Sequence, residues 1–450
     1  MLVGSDKQIA IIGLGVTGFA CARHLVAQGK VFVAFDANTS EDLAVRFKQE
    51  FPSCYLQQGD FSEQDFSDFK QIVLSPGVPQ TTPSIKRAMH YDVEVIGDIG
   101  LFMAQVNVPV IAVTGANGKS TVVSWVAHAL AKAGLSVGLA GNIGVSPLSL
   151  LDDANEYDVY VLELSSFQLE IIDRLDASVA CMLNLSPDHL DRYDNLFAYH
   201  AAKQRIYRGA KACVVNRDDP LTEPLVAGGV KQLSYKLATP DLNQYGVSGN
   251  SHSRMICRGY VELLPVHKVA LKGEHQLSNA LAVLAICEVA GIEQNIAVQA
   301  LQDFRGLAHR CVPVATHEGV AYINDSKATN VGATEAAVKG FAHGKNIVLL
   351  AGGIAKGADL SELAVVGQYL KSVVVFGEAA SQLREIFSVV NCVQVDSMEQ
   401  AVTAAAGLAS NGDTVLLSPA CASFDMFSSY SDRGDQFAAA VLALGGAHAG

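Results

Sequence analysis

Basic residues are scarce in this chain of 450 residues: 32 Lys and Arg stand against 45 Asp and Glu, a formal charge of -13. A nucleic-acid partner demands a basic face, so that class of function is set aside, and any anionic ligand must be met by a few local cations. Paired cysteines are missing as well. The nine cysteines, among them Cys21, Cys54, Cys181, Cys213 and Cys421, are scattered singly with no CxxC and an odd total, the pattern of reduced core thiols. No apolar stretch reaches the roughly 20 residues a membrane helix requires. The run Ile9 to Ile12 enters a glycine turn with no cleavage-site pattern, so neither a membrane span nor a signal peptide is expected. A reducing cytoplasm suits these absences. Low-complexity tracts are also absent, and 50% of residues are hydrophobic against 17% charged, which describes a globular enzyme with several cores.

What is present is alternation. Apolar strand-like runs alternate with helix-length segments almost throughout, the signature of an α/β fold with mainly parallel sheets. Three sets separate. The first holds QIAIIGLG, KVFVAFD, KQIVLSPG and DVEVIGD. The second opens with PVIAVTG and continues through YDVYVLELSS, ASVACMLNLS and KACVVNRDD, then a more polar, β-rich excursion from Leu233 to Leu271 and a helix from Leu277 to Ala290. The third runs from GVAYINDS through KNIVLLAGG, KSVVVFGE and DTVLLSPA to a final helix. Three domains are expected: 1–98, Rossmann-like; 99–306, P-loop ATPase-like with the excursion; and 307–450, Rossmann-like. The second boundary falls where Gly306 interrupts the pattern. Nearly every polar cluster sits at the carboxyl end of an expected parallel strand, where open α/β sheets bind ligands.

The stretch IAVTGANGKST, Ile111 to Thr121, reads as a phosphate cradle. Gly115 and Gly118 let the backbone turn and aim its N–H groups inward, and a helix opening near Lys119 adds its positive end. Lys119 can reach outer phosphates, and Ser120 or Thr121 can hold Mg²⁺. The spacing is two residues tighter than the Walker pattern, with Val113 where its first glycine would stand. ATP is the default ligand.

A second glycine motif, Gly13, Gly15 and Gly18 in GxGxxG, follows the first strand, with Asp36 closing the next. It fits a dinucleotide or some other diphosphate, and Ser75, Pro76 and Gly77 could line the same crevice. Glu163, near the end of VYVLELSS, is either an Mg²⁺ ligand beside the phosphate loop or a carboxylate satisfied by Ser165 or Ser166. NLSPDHLDRY presents Asn184, Asp188 and His189; from spacing alone His189 is as well a cap or core histidine as a ligand. Lys203, Arg205 and Arg208 read by themselves as a solvated helix face. His309 and Arg310 stand at a domain junction, where an arginine could close onto a γ-phosphate. Asp325, Ser326, Lys327, Thr329 and Asn330 in INDSKATN, Lys356 after AGGI and Ser423 after LSPACA suggest a pocket for a small carboxylate.

Taken in order, TGANGKST, LELSSFQLE, DHLDRY, the lysine of AAKQRIY, HR, NDSKATN and LSPACASFD cover nearly the whole chain and resemble the cytoplasmic Mur ligases. The pair NDSKATN and LSPACAS carries the specific part of the likeness, toward the activity that adds D-glutamate to UDP-N-acetylmuramoyl-L-alanine. The resemblance implies three domains, for UDP-substrate, ATP and the incoming amino acid, in a monomer. It implies that Gly115, Asn117, Gly118, Lys119, Ser120 and Thr121 hold ATP and that Ser120 and Glu163 serve a first Mg²⁺. His189 and a Lys203 carbamylated by CO₂ would serve a second ion. Lys119, His189, Lys203 and Arg310 would be catalytic, and Asn279, Arg310 and Asp325 would contact nucleotide. Lys327, Thr329, Lys356 and Ser423, backed by Tyr430 where the family pattern has phenylalanine, would grip D-glutamate. Val16, Thr17, Asp36, Ser75 and Gly77 would form the UDP-sugar site, with Asn142 and His189 nearer the reacting end. Ala37 and Asn38 stand where the pattern has Thr-Arg. A nicotinamide oxidoreductase leaves the phosphate loop and the third domain unexplained; a conformational ATPase would turn over ATP with no amino-acid requirement, and a folate-glutamate ligase is disfavoured by the INDSKATN and LSPACAS pair.

Overall fold

The computed structural model describes residues 8–151, 155–188, 192–250 and 253–446. Its strands gather into three sheets. The first runs, in spatial order, Tyr55–Gln58, Val33–Asp36, Ile9–Ile12, Gln71–Leu74 and Glu94–Ile96, all parallel. Strand order reverses between Ile9–Ile12 and Gln71–Leu74, so Gly13 and Ser75 leave the sheet side by side at the switch point. A Cβ on Gly13 would lie 2.9 Å from that of Ser75, and one on Gly18 only 2.0 Å from the Gly13 carbonyl oxygen. Close packing of turn and helix explains both glycines.

The second sheet has nine strands. From one edge these are Val261–Pro265, Met255–Arg258, Gln244–Ser248, Lys231–Tyr235, Ala212–Asn216, Val179–Met182, Val110–Thr114, Val159–Glu163 and Val137–Gly141. The excursion therefore builds no separate unit: its strands extend this sheet, and only the last two pairings are antiparallel. Val110–Thr114 and Val159–Glu163 are buried along their whole length, as strands covered on both faces must be. Helices Lys119–Lys132 and Glu274–Val289 cover one face. There Trp125 donates to the Ala300 carbonyl at 2.9 Å and stacks on Phe304 at 5.3 Å.

The third sheet, in order Val312–His317, Val320–Asn324, Thr414–Ala420, Ile347–Gly352, Leu370–Phe376 and Asn391–Gln394, is parallel except for its first pair. Its carboxyl ends meet the phosphate-loop end of the second sheet. Among the described residues no helix is long and apolar enough to cross a membrane, and all nine cysteines are free thiols.

Candidate active site

The phosphate loop takes its shape from two glycines. Gly115 and Gly118 have φ of +152° and +83°, and Gly118 stands at the N-terminus of helix Lys119–Lys132 with no side-chain cap on its N–H groups. A Cβ on Gly118 would press to 2.6 Å from Asn279 Oδ1, so Asn279 lies against the loop. Asn117 is pinned on both sides: its N–H donates to Asn184 Oδ1 at 2.8 Å, and its carbonyl accepts from Asn184 Nδ2 at 3.0 Å. Lys119 folds over the loop, donating to the Gly115 and Ala116 carbonyls at 2.9 Å each.

Glu163 is held from two sides, and not by Ser165 or Ser166. Ser120 Oγ donates to its Oε2 at 2.5 Å and Asn142 Nδ2 to its Oε1 at 2.9 Å. Arg310, from just before the third sheet, donates to the same Ser120 Oγ at 2.5 Å. Burial pulls the pKa values of Lys119 and Arg310 downward, opposed in both by the Glu163 charge.

Lys203 corrects the reading of its helix as a solvated face. It is 2% exposed, donates to the Gly115 carbonyl at 2.9 Å and to Thr114 Oγ1 at 3.3 Å, and lies 4.8 Å over the Tyr199 ring. Burial, then repulsion from Lys119, drives its pKa well below that of an ordinary lysine. Arg205 is half-buried on the Glu170 and Ile172 carbonyls, and Arg208 alone is the exposed member. His189 lies outside the described residues.

A cavity of about 440 Å³ joins these groups to the third sheet. Asn117, Lys119, Ser120, Thr121, Asn142, Glu163, Lys203 and Asn279 line it on one side, and Arg310, Asp325, Lys327, Thr329 and Lys356 on the other. Asp325 accepts from Ser418 Oγ at 2.9 Å and from the Cys311 N–H at 3.2 Å, and burial raises its pKa to about 7. Lys327 Nζ sits 3.8 Å over the Tyr430 ring, and burial followed by repulsion from Arg310 lowers its pKa to about 8. Ser423 is buried two residues beyond Cys421, and its hydroxyl meets no partner among the described residues. Asn330 clasps the two halves: it caps helix Val331–Phe341 through the Ala333 N–H at 2.9 Å and donates 3.2 Å bonds to Asn117 Oδ1 and Asp188 Oδ2.

Val16, Thr17, Asp36, Ser75 and Gly77 do not line this cavity; they ring the switch point of the first sheet. Val16 is 88% exposed. Asp36 accepts from the Leu14 N–H at 2.7 Å, the Asn38 N–H at 3.0 Å and Thr39 Oγ1 at 3.0 Å, so its carboxylate braces the glycine turn. Two residues escaped the sequence reading. Arg192 donates to the Pro76 and Gly77 carbonyls at 3.3 and 3.4 Å while paired with Glu170 at 3.0 Å, tying the first sheet's loop to the second; its place inside DHLDRY was the available signal. Arg433, wholly buried under the third sheet's strand ends, had no signal at all.

Comparison with known proteins gives one family along the chain. Residues 7–97 match the Mur ligase, MurD-like N-terminal domain; residues 113–287 match the Mur ligase middle domain; and residues 309–421 match the Mur ligase glutamate ligase domain. The chain is 46% identical to the UDP-N-acetylmuramoylalanine–D-glutamate ligase of Saccharophagus degradans, with 98% of each chain covered. It is 41% identical to the enzyme of that name from Pseudomonas aeruginosa, covering 98% of this chain and 99% of the other. Among solved structures, UDP-N-acetylmuramate-alanine ligase of Thermotoga maritima shares the fold at a TM-score of 0.60 and 19% identity, covering 97% of this chain and 99% of that one.

Proposed function

We propose, because the chain belongs to the Mur ligase family, that it joins D-glutamate to the L-alanyl carboxylate of UDP-N-acetylmuramoyl-L-alanine with conversion of ATP to ADP and phosphate, in peptidoglycan precursor synthesis. The observation that carries this reading is the shared cavity, in which a phosphate loop on one side faces lysines and a threonine on the other. Those are the ends required when a phosphoryl group must pass to a carboxylate that an amine then attacks.

A carboxylate is a poor acyl donor, so the γ-phosphoryl group of ATP is first transferred to it, giving an acyl phosphate. The D-glutamate amine attacks the acyl carbon, and the tetrahedral intermediate collapses with loss of phosphate. The loop N–H groups and Lys119 orient the phosphates, and Arg310, anchored on Ser120, supplies charge where it develops on the transferring group. Lys327, Thr329, Lys356 and Ser423, with Tyr430 behind Lys327, hold the incoming dicarboxylate; Asn279 and Asp325 contact nucleotide. Closing the cavity around the acyl phosphate keeps water from hydrolysing it. The first sheet's glycine turn, with Val16, Thr17, Asp36, Ser75 and Gly77, holds the UDP-sugar and no nicotinamide.

The donor set suits Mg²⁺. Ser120 and Glu163 offer the oxygen ligands it prefers, and among the described residues no group of three or more His, Cys, Asp or Glu forms a fuller cage, so phosphate and water oxygens would complete its shell. When bound, the ion neutralises phosphoryl charge. A second ion would fall to His189 and to Lys203 as its carbamate. In support, burial and the nearby Lys119 charge push the Lys203 pKa well below that of an ordinary lysine, toward the neutral amine whose lone pair would form the N–C bond to CO₂, the nitrogen then shedding a proton. ATP and free thiols both suit the cytoplasm.

Phosphate release from Mg-ATP with UDP-N-acetylmuramoyl-L-alanine, compared across D-glutamate, L-glutamate and no amino acid, tests the reading. Release that requires the UDP-sugar and D-glutamate is expected; release indifferent to both would overturn it in favour of a conformational ATPase.

A further inference from the structure

Arg433 lies in the first turn of helix Tyr430–Gly446 and is 0% exposed. A buried guanidinium is costly unless its donors are met, and among the described residues no ion pair meets this one. Backbone and one hydroxyl do instead. Nε donates to Ser326 Oγ at 2.9 Å, Nη2 to the Ser326 carbonyl at 2.8 Å, and Nη1 to the carbonyls of Gly352 at 3.3 Å and Cys421 at 3.1 Å. Ser326 Oγ in turn donates to the Tyr430 carbonyl at 2.8 Å, closing the cluster onto the arginine's own helix.

The four acceptors sit on three residues that belong to three different strand ends. Ser326 follows Val320–Asn324, Gly352 ends Ile347–Gly352, and Cys421 follows Thr414–Ala420. Each end leads within a few residues to one polar group read as gripping D-glutamate: Lys327 and Lys356, which line the cavity, and Ser423, which is buried two residues beyond Cys421. These ends also carry strained backbone. Gly352 and Gly353 have φ of +152° and +122°, while Lys356 and Ala420 take left-handed values of +51° and +61°. Such conformations persist only where surrounding contacts over-determine them.

We infer that Arg433 is the positioning residue of the amino-acid pocket: its planar fork ties three strand ends together and so fixes Lys327, Lys356 and Ser423 relative to one another. The inference rests on the reading of those groups as the grip on D-glutamate. A dicarboxylate held at both ends is sensitive to the spacing between the groups that hold it, and a lysine cannot supply the fork.

The test measures KM for D-glutamate, ATP and the UDP-sugar, together with kcat and Tm, in the full-length wild type, Arg433→Lys and Ser326→Ala. Arg433→Lys is expected to raise KM for D-glutamate about tenfold, and Ser326→Ala, which removes one acceptor, about threefold, with KM for ATP changed by less than about twofold in both. If Arg433→Lys does not fold, Ser326→Ala decides. An unchanged D-glutamate KM, or all three KM values and kcat worsening together with a fall in Tm, would reduce Arg433 to a structural staple and overturn the inference. A wild type with no D-glutamate requirement would remove the reading beneath it. A wild type that requires D-glutamate, with variants indifferent to it, would remove the inference alone.

Discussion

The two glycine turns of this molecule are built alike and furnished differently. Each follows a parallel strand inside its sheet, and each opens a helix whose first N–H groups meet no side-chain cap. Around the first stands Asp36, a carboxylate spent on bracing the turn through the Leu14 N–H. Around the second stand Lys119, Lys203, Arg310 and Glu163. On the proposed function, oriented backbone dipoles at the first turn suffice to hold a diphosphate that leaves the reaction unchanged. On the same proposal, cations and a carboxylate gather where a phosphoryl group moves and its charge must be followed.

The largest expected effect comes from stripping that furniture. Lys203→Ala should lower kcat by about a hundredfold or more, and wild-type activity should fall when bicarbonate and CO₂ are removed. Full activity in Lys203→Ala would discard the carbamate. A smaller effect should separate architecture from ligand contact at the first turn. Gly18→Ala puts a methyl 2.0 Å from the Gly13 carbonyl oxygen and should cost about 2–4 kcal/mol in unfolding free energy. Gly15→Ala meets nothing within 4 Å, so Tm should hold while KM for the UDP-sugar rises and KM for ATP stays. Equal loss of stability in the two variants would contradict this.

The smallest effect belongs to the joint between the two sheets. Asp98 opens helix Asp98–Met103 and accepts from Gln168 Nε2 at 3.2 Å, and burial raises its pKa to about 6. A raised carboxyl favours folding while protonated, so its contribution is present below about pH 4, the ordinary carboxyl range, and is lost as pH rises through about 6. Asp98→Asn should therefore stabilise by about 1–3 kcal/mol at pH 8, with no gain near pH 4 and neither KM altered. Chemical denaturation at the two pH values checks it; a gain independent of pH would show that the charge is not the cause.

The centre of each sheet was legible because its strands are covered on both faces and read as unbroken apolar runs, such as Val110–Thr114. Tyr55–Gln58, Val137–Gly141, Val312–His317 and Asn391–Gln394 were not read as strands. They lie at sheet edges, half-exposed, and carry polar residues, glycines or a proline that break the run. At the site, residues with a local motif were readable one by one. What was not readable was company: Ser120 and Arg310 stand 190 positions apart and touch. Lys203 misled because lysine defaults to solvent, and nothing in AAKQRIYRG marks the face that Tyr199 and Ala202 turn inward. Arg433 follows the same logic, since a cation satisfied by carbonyls leaves no acidic partner in the sequence to search for.

The bond from Arg310 to Ser120 bears on how such an enzyme could be recombined. A splice at residue 306 would carry the arginine away with the third sheet and hand the phosphate loop whatever cation the incoming module possesses, whereas a splice at 312 would leave it behind. If Arg310 acts on the phosphoryl group as proposed, the acceptor half is no interchangeable cassette: it brings part of the machinery that activates the donor. A transplanted module lacking that side chain would bind its amino acid beside an acid that had never been energised.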